Sequence, residues 1–138
     1  PTQPSKPTQP NKPTQPSKPQ VNGLTPKEFE KTLSGMGWQS NGTTSLINNY
    51  IYYGSEGEMG RIGIRNDNSK VTFQLINESS AFKNVIKRCF NSILPTQGNR
   101  LYNIVSGPFN NQTLKMDGKT VTISQSHAGV TVEIVYPK

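Results

Sequence analysis

The sequence has few of the residues that build reactive or metal-binding sites. It contains one cysteine, one histidine and one tryptophan. A single cysteine cannot form an internal disulfide, and Cys89 with His127 alone cannot supply a Cys/His metal cluster. No Walker-type loop, GxSxG elbow or HExxH motif occurs either. We therefore expect neither a metal ion nor a cofactor.

Long apolar runs are also missing. Hydrophobic residues make up 30% of the chain, and no run approaches the roughly 18 apolar residues that a membrane-spanning helix needs. There is no signal segment and no initiator Met. We expect a mature or excised piece of a longer protein that does not insert into a membrane.

The first twenty residues contain no apolar residue but 7 of the 11 prolines. Residues 1–18 form a six-residue repeat, PTQPSK, PTQPNK and PTQPSK. Proline at every third position fixes φ and removes donors, so the backbone should favour polyproline II at roughly 3.1 Å per residue, a spacer on the order of 60 Å long. The sequence thus predicts a disordered linker over residues 1–20 and one domain over residues 21–138.

This tail resembles the Pro/Thr/Lys-rich linkers of secreted and wall-attached bacterial proteins, which join catalytic, binding and anchoring modules. The resemblance implies an extracellular or cell-wall-associated protein. It also implies that the linker holds the folded part away from a neighbouring domain or a surface. The single cysteine is compatible with export.

Basic residues outnumber acidic ones, 15 to 8, but part of the excess lies in the tail. Lys6, Lys12 and Lys18 belong to the repeat, which leaves 12 basic residues against 8 acidic ones in residues 21–138. Nucleic-acid binders concentrate basic residues on one face, with a pI above about 9 for the domain itself. Here the pI of 9.7 owes much to the tail, so we expect no nucleic-acid partner.

Helix signals occur at three places. Thr25, Pro26 and Glu28 form a capping-box start, which predicts a first helix over about residues 26–34. Apolar residues at a 3.6 period predict a second helix from Ser79 or Ser80 to just before Pro95. A third, shorter helix would be capped by Thr96 and stop at Gly107-Pro108. Trp38, at the exit of the first helix, fits a core anchor better than a ligand platform.

Strand signals fall into two runs of three, before and after the second and third helices. The predicted strands are Leu46–Tyr53, Met59–Arg65, Lys70–Ile76, Gln112–Met116, Lys119–Ser124 and Gly129–Val135. Asp117-Gly118 is a strong signal for a type I′ hairpin turn. The pattern indicates an α+β fold in which about three helices pack on one face of an antiparallel sheet.

The strand phases suggest a ligand site on the face without helices. If the isoleucines of the first strand face the core, Tyr50 and Tyr52 emerge beside Arg61 and Arg65. Aromatic rings suit stacking on sugars, and guanidinium groups suit carboxylates or phosphates. The alternative is that these side chains only stabilise the sheet through cross-strand pairs.

Candidate catalytic residues are few. Glu56, Glu58 and Glu133 could serve a carboxylate-based hydrolase, but the first two occupy a turn open to water, and Glu133 follows the polar phase of its strand. Cys89 lies in the apolar phase of the second helix, which predicts a buried, inert thiol. His127 fits a hairpin turn and has no obvious group to orient it as a general base.

Three functions remain open, and the first is favoured. It is a non-catalytic extracellular binding module, monomeric and held on a spacer, that contacts a glycan or an anionic wall polymer. The second is a structural domain that docks on a neighbouring domain of a larger secreted protein. The third is the small hydrolase.

Overall fold

A computed structural model describes residues 23–55, 57–76, 79–107, 111–126 and 129–137. The repeat over residues 1–20 lies outside these ranges, as do Glu56 and His127. The disordered tail and the domain boundary at residue 21 therefore stay predictions.

The first helix, α1, spans Pro26–Glu30 and is shorter than predicted. Thr25 caps it as the sequence indicates: its side chain accepts from the Glu28 amide, and the Glu28 carboxylate accepts from the Thr25 amide at 3.0 Å. The Thr32 hydroxyl donates to the Phe29 carbonyl oxygen at 2.7 Å, and this local bond competes with extension of the helix. A 3₁₀ turn, Ser34–Met36, follows.

Within the ranges given above, seven strands form one fully antiparallel sheet, one strand more than the sequence predicts. They are β1 (Gln39–Thr43), β2 (Ile47–Gly54), β3 (Gly57–Arg65), β4 (Lys70–Leu75), β5 (Gln112–Met116), β6 (Lys119–Ser126) and β7 (Gly129–Val135). Their order is β1-β2-β3-β4-β7-β6-β5. The unpredicted strand, β1, is polar and exposed throughout, so it carries no apolar alternation that would reveal a strand.

Two further helices lie between β4 and β5. The longer one, α2, spans Ser80–Ile93 and is capped by Ser79, whose hydroxyl accepts from the Phe82 amide at 3.1 Å. The shorter one, α3, spans Gly98–Val105, and the two helices pack against each other. These boundaries agree closely with the predicted helices, and the mixed α+β class is confirmed.

The hydrophobic core lies between the helices and one face of the sheet. Alternate residues of the central strands form it together with the apolar sides of the described helices α1, α2 and α3. The strand contribution includes Ile62, Ile64, Val71, Phe73, Val121, Ile123, Val132 and Ile134. Trp38 and Cys89 belong to the same core, as predicted. All three helices therefore cover the same face.

The turn between β5 and β6 joins the sheet to α3. Asp117 and Gly118 have φ of 49° and 80°, which confirms a turn with two left-handed residues. The Asp117 carboxylate also accepts from the backbone amides of Thr96 and Gln97 at 3.1 and 3.2 Å. Thr96 is thus not the side-chain cap of α3: the N-cap position is Gln97, and a carboxylate from the hairpin satisfies the amides there.

Candidate binding face

The strand register defines a second sheet face, on which no helix of the described residues lies. Directly opposed residues of neighbouring strands point to the same face. One row of such pairs crosses six strands on the helix-free side: Asn49, Gly63, Thr72, Glu133, Thr122 and Thr113. We call this side the open face. It is polar, and hydroxyl side chains predominate toward β5.

The structure places two of the four predicted site residues on the opposite side. Tyr50 lies opposite Ile62, and Tyr52 lies opposite Gly60, so both tyrosines face the helices. The Tyr52 ring packs against Trp38 and Phe82, with ring centroids 5.4 and 5.1 Å away. The predicted phase of this strand was wrong.

Tyr50 belongs to a polar contact beneath α1. Its hydroxyl donates to Glu30 Oε2 at 2.6 Å, and Asn48 Nδ2 donates to the same oxygen at 2.7 Å. Burial, the hydrogen bond to Glu30 and the charge of that carboxylate raise the pKa of Tyr50 to about 12. This tyrosine holds α1 against the sheet.

The predicted phase assumed that the isoleucines of β2 face the core, and a β-bulge in the hairpin between β2 and β3 sets the opposite phase. Near the turn the pairs are Gly54 with Gly57 and Tyr53 with Glu58, but the register shifts by one residue beyond Tyr53. Without the shift Tyr50 would lie opposite Arg61 and share its face. One extra residue in one strand reverses, relative to the partner strand, the face on which each residue beyond the bulge lies.

Arg61 and Arg65 do lie on the open face, where the isoleucines of β2 accompany them. Ile47 pairs with Arg65, and Ile51 pairs with Arg61. Ile51 is only 4% exposed although it is outside the main core cluster. Aliphatic stems of neighbouring polar side chains can cover such a residue.

Tyr53 supplies the exposed aromatic ring that was predicted for Tyr50 and Tyr52. It is 53% exposed. It pairs with Glu58, the residue that binds Arg61. In the sequence, Tyr53 lies two residues after Ile51 and therefore on the same side of the strand. That signal locates Tyr53 on the open face only once the bulge shows which side of β2 the helices cover.

A depression of about 270 Å³ lies on the open face around Gly63, where one side chain of the polar row is absent. The residues that line it come from three adjacent strands: Ile47, Asn49, Arg61, Ile62, Gly63, Arg65, Lys70, Thr72 and Gln74. Two of the predicted residues, Arg61 and Arg65, are therefore brought to one site. Lys70, Asn49, Thr72 and Gln74 are the members that sequence reasoning missed.

Each cation of the depression has a carboxylate contact. Arg61 binds Glu58 through Nε and through Nη2, the latter at 3.1 Å from Oε1. Lys70 Nζ lies 3.1 Å from Glu133 Oε2. Arg65 Nη2 lies 3.4 Å from Asp67 Oδ2. Exposed pairs of this kind contribute about 0–1 kcal/mol each, so a ligand can replace them at low cost.

The two described carboxylates that the hydrolase hypothesis needs do not have the required character. The hydrogen bond from Arg61 holds the pKa of Glu58 below its ordinary value, whereas a general acid needs a raised pKa. Glu133 pairs with Lys70 on the open face. Glu56 lies outside the described residues.

The thiol of Cys89 is buried in the core, 3.7 Å from the sulfur of Met36. Burial raises its pKa to about 12, an effect that the nearby Trp38 side chain and the charge of Arg88 only partly offset. His127, which the sequence places in a hairpin turn, lies outside the described residues. Such a thiol is a poor nucleophile near neutral pH.

The part of the chain that the structure describes contains no group of three or more His, Cys, Asp or Glu side chains that could hold a metal ion. None of its helices has the length and apolar character needed to cross a bilayer. Comparison with protein-family models, with curated proteins and with solved structures finds no match.

Proposed function

We propose that this protein is a non-catalytic binding module of an extracellular bacterial protein, and that its open face contacts a glycan of the cell wall. The observation that carries the proposal is the polar depression around Gly63 on a sheet face that no described helix covers. Binding sites are concave surfaces in which a few converging polar groups fix the ligand.

The side chains of the open face match the chemistry of sugars. Asn49 and Gln74 offer amide donors and acceptors, and Thr72 offers a hydroxyl. Tyr53, which pairs with the Arg61 partner Glu58, adds an exposed aromatic ring, and such rings stack on the apolar faces of sugar rings. Six of the nine residues that line the depression have polar or charged side chains.

The tail supports an extracellular setting. Its proline spacing favours an extended backbone, and its resemblance to wall-protein linkers suggests that it keeps the domain at a distance from a neighbouring module. In this proposal the linker sets the distance between the domain and its neighbouring module, and the open face binds the glycan.

Cosedimentation of the 138-residue protein with purified bacterial cell walls tests the proposal. We expect the wild type to be retained and Asn49→Ala to reduce retention. Asn103→Ala, an equal truncation of an exposed amide on α3, should leave it unchanged. Absence of wild-type retention would overturn the proposal, and equal loss in both variants would exclude the open face.

A further inference from the structure

The depression around Gly63 has a charge asymmetry that identifies its ligand more closely. Three cations line it: Arg61, Arg65 and Lys70. Among the residues that the structure describes, no carboxylate lines it. The partners Glu58, Asp67 and Glu133 contact these cations without being part of the lining. The lining therefore presents cations, while the carboxylates that balance their charge lie beside the depression.

These cations have hydrogen-bonding capacity beyond their present contacts. A guanidinium carries five N–H donors in a planar fork, and the contact of Arg61 with Glu58 uses two of them. The fork geometry matches a carboxylate better than the point charge of an ammonium does. Arg61 and Arg65 flank Gly63 on the same strand and the same face, so both side chains line the depression. Arg61 now contacts Glu58 and Arg65 contacts Asp67, and a ligand between the two arginines would draw each guanidinium toward Gly63.

Gly63 itself is not required by the backbone. Its φ lies outside the left-handed range that favours glycine, and an added Cβ would lie 3.5 Å from Ile47 Cγ2 and 3.6 Å from Asn49 Oδ1, which are ordinary contact distances. Glycine in the interior of a strand weakens the strand and often marks a place where a ligand approaches closely. The fold therefore does not require glycine at this position. A ligand in the depression would require it, because a side chain at position 63 would occupy the same space.

The size of the depression limits the occupant. At about 270 Å³ it lies just below the roughly 300–1,000 Å³ of sites that enclose a whole small molecule. It suits one unit of a longer chain. The amides of Asn49 and Gln74 and the hydroxyl of Thr72 surround the cations and can bind the hydroxyls of that unit.

From these observations we propose that the depression binds one uronic-acid unit of an acidic polysaccharide, with the carboxylate of the sugar between Arg61, Arg65 and Lys70. This inference rests on the proposed function and names its ligand class. The net positive charge of the chain, +7, complements such a polymer and favours its approach.

Calorimetric titration of the 138-residue protein with oligogalacturonate tests the inference. The methyl ester of the same oligomer keeps the sugar rings and removes the charge. We expect the charged oligomer to bind roughly tenfold or more tightly than the ester, because it forms charge-assisted bonds that the ester cannot form. Added salt should reduce this difference.

Two variants locate the site. Gly63→Thr should reduce affinity for oligogalacturonate roughly tenfold or more, because its side chain occupies the depression. Gly35→Ala is the matched control, since an added Cβ there has no neighbour within 4 Å; it should bind like the wild type. Arg65→Ala should weaken binding without filling the space, while Arg88→Ala removes an equal charge from α2 and should have little effect. Circular dichroism confirms that each variant is folded.

The outcomes separate this inference from the proposed function. Equal affinity for the charged oligomer and its ester, or wild-type affinity in folded Gly63→Thr, would overturn the uronate site while leaving a glycan-binding face. If a glycerol-phosphate polymer displaced bound oligogalacturonate, and unlabelled oligogalacturonate did not, the site would bind a phosphodiester and the assignment of a sugar carboxylate would be wrong. Failure to bind the charged oligomer would overturn the uronate site, and failure of cell-wall retention would overturn the proposed function.

Discussion

Tyr50 donates its phenolic hydrogen to Glu30 Oε2 at 2.6 Å, and this bond joins the covered side of β2 to α1. Asn48 donates to the same oxygen from the same side. The open face is thereby left to Ile47, Asn49 and Ile51. The bond contributes to stability and lies on the face opposite the proposed site.

Tyr50→Phe should lower the free energy of unfolding by about 1–2 kcal/mol, because it removes a hydrogen bond to a charged, partly buried carboxylate. Tyr53→Phe, which removes a hydroxyl from an exposed ring, should change stability by less than about 0.5 kcal/mol. Urea denaturation measures both. Equal losses in the two variants would contradict the assignment of Tyr50 to the covered face.

Alkaline pH should destabilise the protein partly through Tyr50. Its pKa is raised from 10.0 to about 12 in the folded state, because burial and Glu30 disfavour the phenolate. The stabilisation is therefore fully present below pH 10 and is lost as pH rises through about 12. Tyr50→Phe should show a smaller loss of stability than the wild type over this window, followed by denaturation at fixed pH values. An unchanged slope would show that Tyr50 titrates like an exposed tyrosine.

Two glycines of β3 should respond oppositely to the same substitution. A Cβ at Gly60 would lie 2.8 Å from the Gln74 carbonyl oxygen and 2.8 Å from Phe82 Cζ. Gly60→Ala should therefore cost about 1–3 kcal/mol by overpacking the core. Gly63→Ala should be neutral or stabilise the fold by up to about 1 kcal/mol, because alanine restricts the unfolded chain and meets only ordinary contacts. Denaturation midpoints decide this, and a large loss for Gly63→Ala would show that the fold itself requires glycine there.

Glu133→Gln should strengthen binding of oligogalacturonate, up to about fivefold. In the wild type Glu133 holds Lys70 at 3.1 Å, so the ligand carboxylate must compete with it, and an exposed pair of this kind has a free energy of about 0–1 kcal/mol. Lys70→Gln should weaken binding instead. Titration calorimetry measures both. Weaker binding by Glu133→Gln would indicate that Glu133 itself contacts the ligand.

Helices and turns were predictable because their signals are local. The apolar period of α2, the capping box around Thr25 and the Asp117-Gly118 turn each depend on residues within a few positions. Asp117 also accepts from the backbone amides at the start of α3. That contact joins residues about twenty positions apart, so no local pattern predicts it.

The candidate site was only half predictable. Both sides of β2 carry apolar or aromatic residues, so alternation alone does not decide which side is covered. The one-residue shift beyond Tyr53 then exchanges the faces. Arg61 and Arg65 alternate with Ile62 and Ile64, whose burial is unambiguous, and their phase was correct.

Backbone amide chemical shifts of the ¹⁵N-labelled protein during titration with oligogalacturonate test the central claim most directly. We expect the largest shifts at Gly63 and at its cross-strand neighbours Asn49 and Thr72, with little change along α2 and α3. Shifts concentrated on the helices, or spread evenly over the surface, would contradict a ligand site on the open face.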